Sequence, residues 1–380
     1  MSENLVKQPI IWVETNEHLE QICGHWQSKS MLAFDTEFMR SNTYYPIAGL
    51  IQVNDGEKNY LIDPTTIDDF YPLIDIIDNE DIVKVLHSCS EDLEVFHYAF
   101  GCLPNNIIDT QIAGAVLGLG YSVGYANLVR LVLNIDLPKS ETRSNWLQRP
   151  LSQSQLHYAA IDVEYLFKLA SYTIEQMASS KRLEWVQQDS RALVQNFFVN
   201  QDPDRSHLRF KSAWKLSPRQ LASLIQLSRW REDLAQEKNV PRNRIVKESA
   251  LFSLAQQVPT HVSQLKGYEG LNERMIRSNG SKIIKIVSAV KNIPEQELPA
   301  RLPAPLTAEE RALLDILKNK VAQIADQLNV PNELLAKKKD YEFLIHGLRR
   351  GDVQIPLSFA GWRRDIIGNA LLEITKNQGN

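Results

Sequence analysis

Apolar and polar positions follow two regimes along the chain. Up to about Val199, short apolar runs of strand length alternate with helical spacing; beyond Gln201 the spacing is helical throughout. Residues 10–13 predict a first strand. Residues 16–26 predict a helix with Leu19, Ile22, Cys23 and Trp26 on one face. Residues 31–38 are a strand in which Met31-Leu32-Ala33 run into Phe34-Asp35-Thr36-Glu37-Phe38. Residues 50–53 and 59–62 flank Asn54-Asp55-Gly56-Glu57, whose Asp-Gly predicts a hairpin and, with strand 31–38, a meander. Then follow helix 68–77, strand 82–86 (apolar but for Lys84), helix 88–100, the short strand 107–108 and helix 110–117. Residues 151–178 read as one long helix after Pro150, with Ser152 as N-cap and Gln155 at the capping-box position. The alternation predicts an α/β mixed sheet flanked by helices.

The polar stretch 201–211 contains the turn-former Asp202-Pro203-Asp204, and 293–305 carries Pro294, Pro299, Pro303 and Pro305. Both read as linkers, separating two copies of one unit. Residues 216–241 align without a gap on 306–331. Leu216, Ala222, Leu224, Leu227, Ala235 and Asn239-Val240-Pro241 recur as Leu306, Ala312, Leu314, Leu317, Ala325 and Asn329-Val330-Pro331, and Ser217 and Thr307 both sit at N-cap positions. Matching leucines are expected of any two amphipathic helices; a matching Asn-Val-Pro is not. The expected division is an α/β domain over 1–203 and two all-α domains over 212–292 and 304–380.

At 380 residues the chain exceeds one ordinary core. With 43% hydrophobic and 23% charged residues it has the composition of a globular protein. No apolar run is long enough to span a bilayer, and polar residues 1–8 do not resemble a signal peptide, so a cytoplasmic location is expected. Cys23, Cys89 and Cys102 have neither paired nor zinc-ligand spacing, which fits a reducing compartment. The net charge of −4 conceals an asymmetry: residues 1–200 hold 13 Lys and Arg against 26 Asp and Glu, and residues 201–380 hold 29 against 20. An acidic half joined to a basic half suits a metal-binding catalytic part and a part that meets a polyanion.

Strand alternation puts Asp35 and Glu37 on one face, with Phe34, Thr36 and Phe38 on the other. Paired carboxylates beside a core call for a cation or a proton; the same pattern also suits a strand running out into water. Two-metal phosphoryl chemistry needs about four converging carboxylates. The further candidates are Asp92, in the first turn of helix 88–100, and Asp162, on an otherwise apolar stretch of the long helix. Tyr158, four residues before Asp162, shares its face. Oxygen ligands without Cys or His point to Mg or Mn. His87 and His157 flank these motifs and read as ordinary histidines rather than ligands.

Asp35-Thr36-Glu37, Asp92 within Ser90-Glu91-Asp92-Leu93, and Tyr158-Ala159-Ala160-Ile161-Asp162 resemble the three exonuclease motifs of the DEDD superfamily, in its tyrosine (DEDDy) branch. Ile108-Asp109-Thr110-Gln111, Ser144-Asn145-Trp146 and Arg149-Pro150-Leu151-Ser152 are similar to the ribonuclease D family. The two C-terminal units resemble HRDC modules, the second departing where Arg311 and Asp315 replace Leu221 and Ile225.

The resemblance covers nearly the whole chain. It implies a ribonuclease H-like fold and 3′→5′ removal of nucleoside 5′-monophosphates, with two divalent ions, Mg or Mn, on Asp35, Glu37, Asp92 and Asp162. It also implies trimming of tRNA precursors and other small structured RNAs. Tyr158 would orient the attacking water. Such an enzyme would act as a monomer on RNA, away from membranes. The competing readings are a DNA 3′→5′ exonuclease with the same site and a nucleic-acid-binding protein with an inert one. For gripping RNA, the first repeat offers a basic stripe with an aromatic: Arg229, Trp230, Arg231, Arg242, Arg244 and Lys247, followed by Lys282 and Lys285.

Overall fold

The computed structural model describes residues 5–138, 141 and 144–378. Its centre is a six-stranded sheet: β1 (Ile10–Val13), β2 (Met31–Met39), β3 (Ile47–Asn54), β4 (Asn59–Ile62), β5 (Val83–Leu86) and β6 (Ile107–Asp109). The spatial order is β1-β4-β3-β2-β5-β6. The β2–β3–β4 meander is antiparallel, while β1 lies parallel to β4, β5 to β2 and β6 to β5. The expected mixed sheet is therefore present. Its helices are α1 (Asn16–Trp26), α2 (Tyr71–Asp78), α3 (Ser90–Val95), α4 (Thr110–Val116), α5 (Tyr125–Leu133), α6 (Gln153–Met177) and α7 (Arg182–Gln195). Helix α5 falls where no element is expected from the sequence. Ser152 caps α6 through the anticipated box with Gln155. No helix among the described residues is long and apolar enough to cross a membrane.

Two compact units emerge. One comprises the chain up to Met39, Pro46–Gln195 and Leu306 onward; the other comprises Arg40–Tyr45 and Asn196–Pro305. The second repeat, expected as an all-α domain over 304–380, packs together with the sheet in one of these units. Its helices, numbered after those of the other unit, are α13 (Ala308–Leu328), α14 (Asn332–Leu335), α15 (Lys338–Arg350) and α16 (Asn369–Asn377). Leu313, Leu317, Val321, Ala325, Leu344 and Ile367 share one core with Ala113, Val116, Met177 and Val186 of the sheet-covering helices. Trp185 on α7 stacks on Trp362, ring centroids 4.3 Å apart and planes 5° apart. The Arg363 guanidinium donates to both oxygens of Asp189 at 2.6 Å. The fit leaves no room at Gly118, where φ is +80° and a Cβ would lie 2.4 Å from the Asn329 carbonyl oxygen.

The other unit holds α8 (Phe197–Gln201) and then α9 (Pro218–Glu237), α10 (Arg242–Ile245), α11 (Glu248–Gln257) and α12 (Glu273–Ala289), the last four of which share a core of their own. The expected linker at 201–211 is instead folded: Pro203–Arg209 forms a 3₁₀ helix, and Ser206 and Phe210 are buried. Tyr44 also enters this core, its hydroxyl bonded to Glu232 and Arg242.

The duplicated Asn-Val-Pro has a backbone cause. Asn239 and Asn329 are left-handed, with φ +46° and +52°. Asparagine tolerates that conformation at a helix end, and a proline soon after prevents the helix from continuing. Ser217 with Gln220, and Thr307 with Glu310, form matching capping boxes.

Candidate active site

β2 carries the first two acids and lies between two helical layers. Helix α6 packs on one face, and α3 on the other. Asp35 and Glu37 face α6, where ligand oxygens of Asp35, Glu37 and Asp162 all lie within 4.8 Å of one another. The opposite face presents Phe34, which meets Phe96 edge-on beyond α3, and Thr36. The Thr36 hydroxyl donates to Asp92 Oδ1 at 2.6 Å. The structure thus gathers three of the four predicted acids into one tight group. It sets Asp92 beside them, approaching from the α3 layer and held by a threonine that no sequence pattern singles out.

The turn bearing Asp92 is itself fixed. Asp109, at the end of β6, accepts the backbone N–H groups of Ser88, Cys89 and Gln111 at 3.1, 3.0 and 2.8 Å. It caps α4 and clamps the entry to α3 at once. Thr36→Val should leave the Asp92 carboxyl buried without this donor. We expect a ~10–100-fold loss of metal affinity, as for other partners of ligating carboxylates, measured by Mn titration.

Four acids so placed oppose one another's ionisation. Burial first, and then the Asp162 charge, push Asp35 well above the ordinary carboxylate range. Burial, then Asp35, Asp162 and Asp92, push Glu37 up to about 10. Asp92 is raised by burial and by Asp35. Asp162 is pushed up to about 7 by burial, against a hydrogen bond from Tyr158 that lowers it. Raised, mutually repelling carboxylates form a site that a cation relieves, and the all-oxygen donor set fits Mg or Mn.

Tyr158 lies one turn before Asp162 and packs near Trp146, ring centroids 6.2 Å apart. Burial and then the charges of Asp162, Glu37 and Asp35 raise its phenol further from ionisation. Trp146 is seated by Arg149, which bonds the Trp146 carbonyl at 2.9 Å, the Gly49 carbonyl at 2.7 Å and buried Asp63 at 2.5 and 2.6 Å. The sequence also missed Tyr125 of α5, whose hydroxyl donates to the Asp162 carbonyl oxygen. His87 is bonded through Nδ1 to Thr110 at 2.9 Å, and neither it nor His157 joins the acid group.

The basic stripe needs correction. Arg231 is 1% exposed; its guanidinium donates to the Val246 carbonyl and lies over the Phe210 ring. Its position, four residues from both Leu227 and Ala235, is on the buried face of α9. Trp230 is half-buried against the same core. Arg242 is spent on Glu232, with contacts of 2.5–2.8 Å, and covers the Tyr44 ring. Arg229, Arg244, Lys247, Lys282 and Lys285 remain exposed; of these Arg229 pairs with Asp204 at 2.6 Å and Arg244 bonds Asn42.

Comparisons with known proteins bear on this geometry. A family model for a 3′-5′ exonuclease matches residues 10–177, and one for the HRDC domain matches residues 220–287. A ribonuclease D of Pseudomonas paraeruginosa is 41% identical over 364 residues, covering 96% of each chain. The crystal structure of the RNase D of Escherichia coli, an exoribonuclease involved in structured RNA processing, superposes with a TM-score of 0.88 at 33% identity, covering 97% of this chain and 99% of that one. The catalytic core of RRP6 from Trypanosoma brucei shares the fold, with a TM-score of 0.57 at 23% identity over 76% of this chain and 81% of that one.

Proposed function

The chain belongs to the ribonuclease D family of 3′→5′ exoribonucleases, and from that premise we propose that it trims the 3′ ends of tRNA precursors and other small structured RNAs. Each turn of the reaction would consume one water, break the last phosphodiester, and release a nucleoside 5′-monophosphate, leaving a new 3′-hydroxyl on the RNA. The observation that carries this reading is the convergence of Asp35, Glu37 and Asp162 within 4.8 Å, with Tyr158 on the same helix face.

Asp35, Glu37 and Asp162 would hold two divalent cations, Mg or Mn, with Asp92 contributing from the α3 side. Such a pair supplies an acidified water and offsets charge on the attacking and departing oxygens. Tyr158, kept protonated by its surroundings, serves as a hydrogen-bonding group that orients the water rather than as a base. Tyr158→Phe should lower kcat by ~10–100-fold, within the range for a lost positioning or proton-handling group, with Mn affinity unchanged. A variant that fails to bind Mn would contradict that division of roles.

The exposed cations Arg229, Arg244, Lys247, Lys282 and Lys285 would meet phosphates and strengthen binding at low salt. In domain terms we read a nuclease over 1–203, followed by HRDC units at 212–292 and 304–380. End-labelled tRNA precursor, and separately single-stranded DNA, incubated with purified protein and Mg or Mn, tests the proposal. Stepwise shortening of the RNA from its 3′ end, abolished by EDTA, is expected. Equal or faster shortening of the DNA would move the substrate assignment to DNA.

A further inference from the structure

Gln52 is paired with Asp35 in the β2–β3 ladder. Directly opposed residues of antiparallel strands project from the same face, with Cβ atoms ~4.5–5.5 Å apart. Gln52 therefore stands beside the acid group, beneath α6. It is fully buried, and among the described residues neither its Nε2 nor its Oε1 has a hydrogen-bond partner. A buried amide with both ends unmatched opposes folding. The neighbouring positions on that face show what the fold alone would favour: Leu50, two residues earlier, and Leu61, paired with Gln52 on β4, pack tightly with Trp146 and Ala159. An apolar side chain would continue that layer. An amide is present instead, at the one β3 position opposite Asp35.

We propose that Gln52 is a positioning residue of the acid group: its amide N–H orients the Asp35 carboxylate when a divalent cation is held there. A ligating carboxylate is commonly fixed by a hydrogen bond from behind, and glutamine has the reach to make one across a strand pair. The proposal rests on the reading of Asp35, Glu37 and Asp162 as the cation-holding group.

Gln52→Met keeps nearly the same volume and removes both polar ends; Gln52→Leu repeats the test with a second shape. Three quantities are measured: the melting temperature in EDTA, Mn affinity by electron paramagnetic resonance, and kcat on a short RNA. Asp35→Asn serves as the reference. The expected result for the Met variant is an equal or higher melting temperature with Mn affinity and kcat each lowered ~10-fold or more. Unchanged Mn affinity and kcat would overturn the inference. So would a variant pair that unfolds or melts lower while its Mn affinity holds, since the amide would then belong to the fold. If Asp35→Asn itself binds Mn as tightly as the unaltered protein, the cation-site reading fails. If only Asp35→Asn loses Mn, that reading stands and the role of Gln52 alone is rejected.

Discussion

Asp162→Asn is expected to slow RNA trimming by at least ~10³-fold, equivalent to ~4 kcal/mol of transition-state stabilisation, while making the metal-free protein more stable. The first effect follows from charge. Asp162 closes the group from α6, and an amide would not supply the negative charge that a divalent cation at this acid group would need. The second follows from proton linkage. The folded-state value for Asp162 is pushed up to about 7, against ~3.9 for an unstrained aspartate. Between these values the unfolded chain has shed its proton and the folded chain has not. Stability therefore falls as pH rises through that window and levels off above about 7. Asparagine has no such proton. In EDTA, the variant should melt above the unaltered protein by a margin that widens from acidic pH to about 7 and then stays level. Single-turnover trimming, Mn titration and a pH series of thermal melts measure these three consequences. Undiminished trimming would remove Asp162 from the site, and a melting temperature independent of the substitution would show that the acid is not strained.

Residues that carry a local signature were legible in the sequence. The β2 acids end an apolar run, Ser152-Pro150 spacing announces α6, and Asn-Val-Pro marks two equivalent helix ends whose asparagines both prove left-handed. Residues whose meaning depends on a partner from another element were not. Asp92 was placed in its helix correctly, but only the three-dimensional arrangement shows that it meets Thr36 rather than sitting within the tight group. Gln52 draws attention only once it is paired with Asp35. Arg231 is the instructive miss. Its spacing from Leu224, Leu227 and Ala235 already placed it on the inner face of α9, and neighbouring cations drew it into a surface stripe instead. Periodicity outranks residue type here: Arg231 is buried whole, with Nη1 donating to the Val246 carbonyl and the guanidinium over the Phe210 ring, although among the described residues its Nε and Nη2 meet no partner.

The second large effect concerns the C-terminal repeat. Removing residues 304–378 should leave the nuclease unable to fold, where a detachable RNA-binding module would have cost only affinity. Ala113, Val116, Met177 and Val186 are almost completely buried, and they lie in one core with the repeat's leucines; deletion returns that surface to water. A gentler version is Trp362→Ala, which removes the stack on Trp185 and the indole bond to Asp189. Large aromatic-to-alanine changes in a core cost ~3–5 kcal/mol, a major share of the ~5–15 kcal/mol that a folded protein holds in total. Urea unfolding followed by circular dichroism should show the midpoint of Trp362→Ala well below that of the unaltered protein. Lys338→Ala, which breaks only an exposed ion pair with Glu342, should hardly move it. A soluble, active 1–303 fragment with an unshifted melt would overturn this reading. The same packing accounts for the divergence of the two repeats. In α9, Leu221 is buried and Ile225 half-buried, whereas Arg311 and Asp315 of α13 are exposed. Helix α13 packs through the narrower stripe of Leu313, Leu317, Val321 and Ala325, against a core shared with the nuclease. One helical unit thus serves two packing environments, and its apolar face is rewritten wherever its neighbour differs.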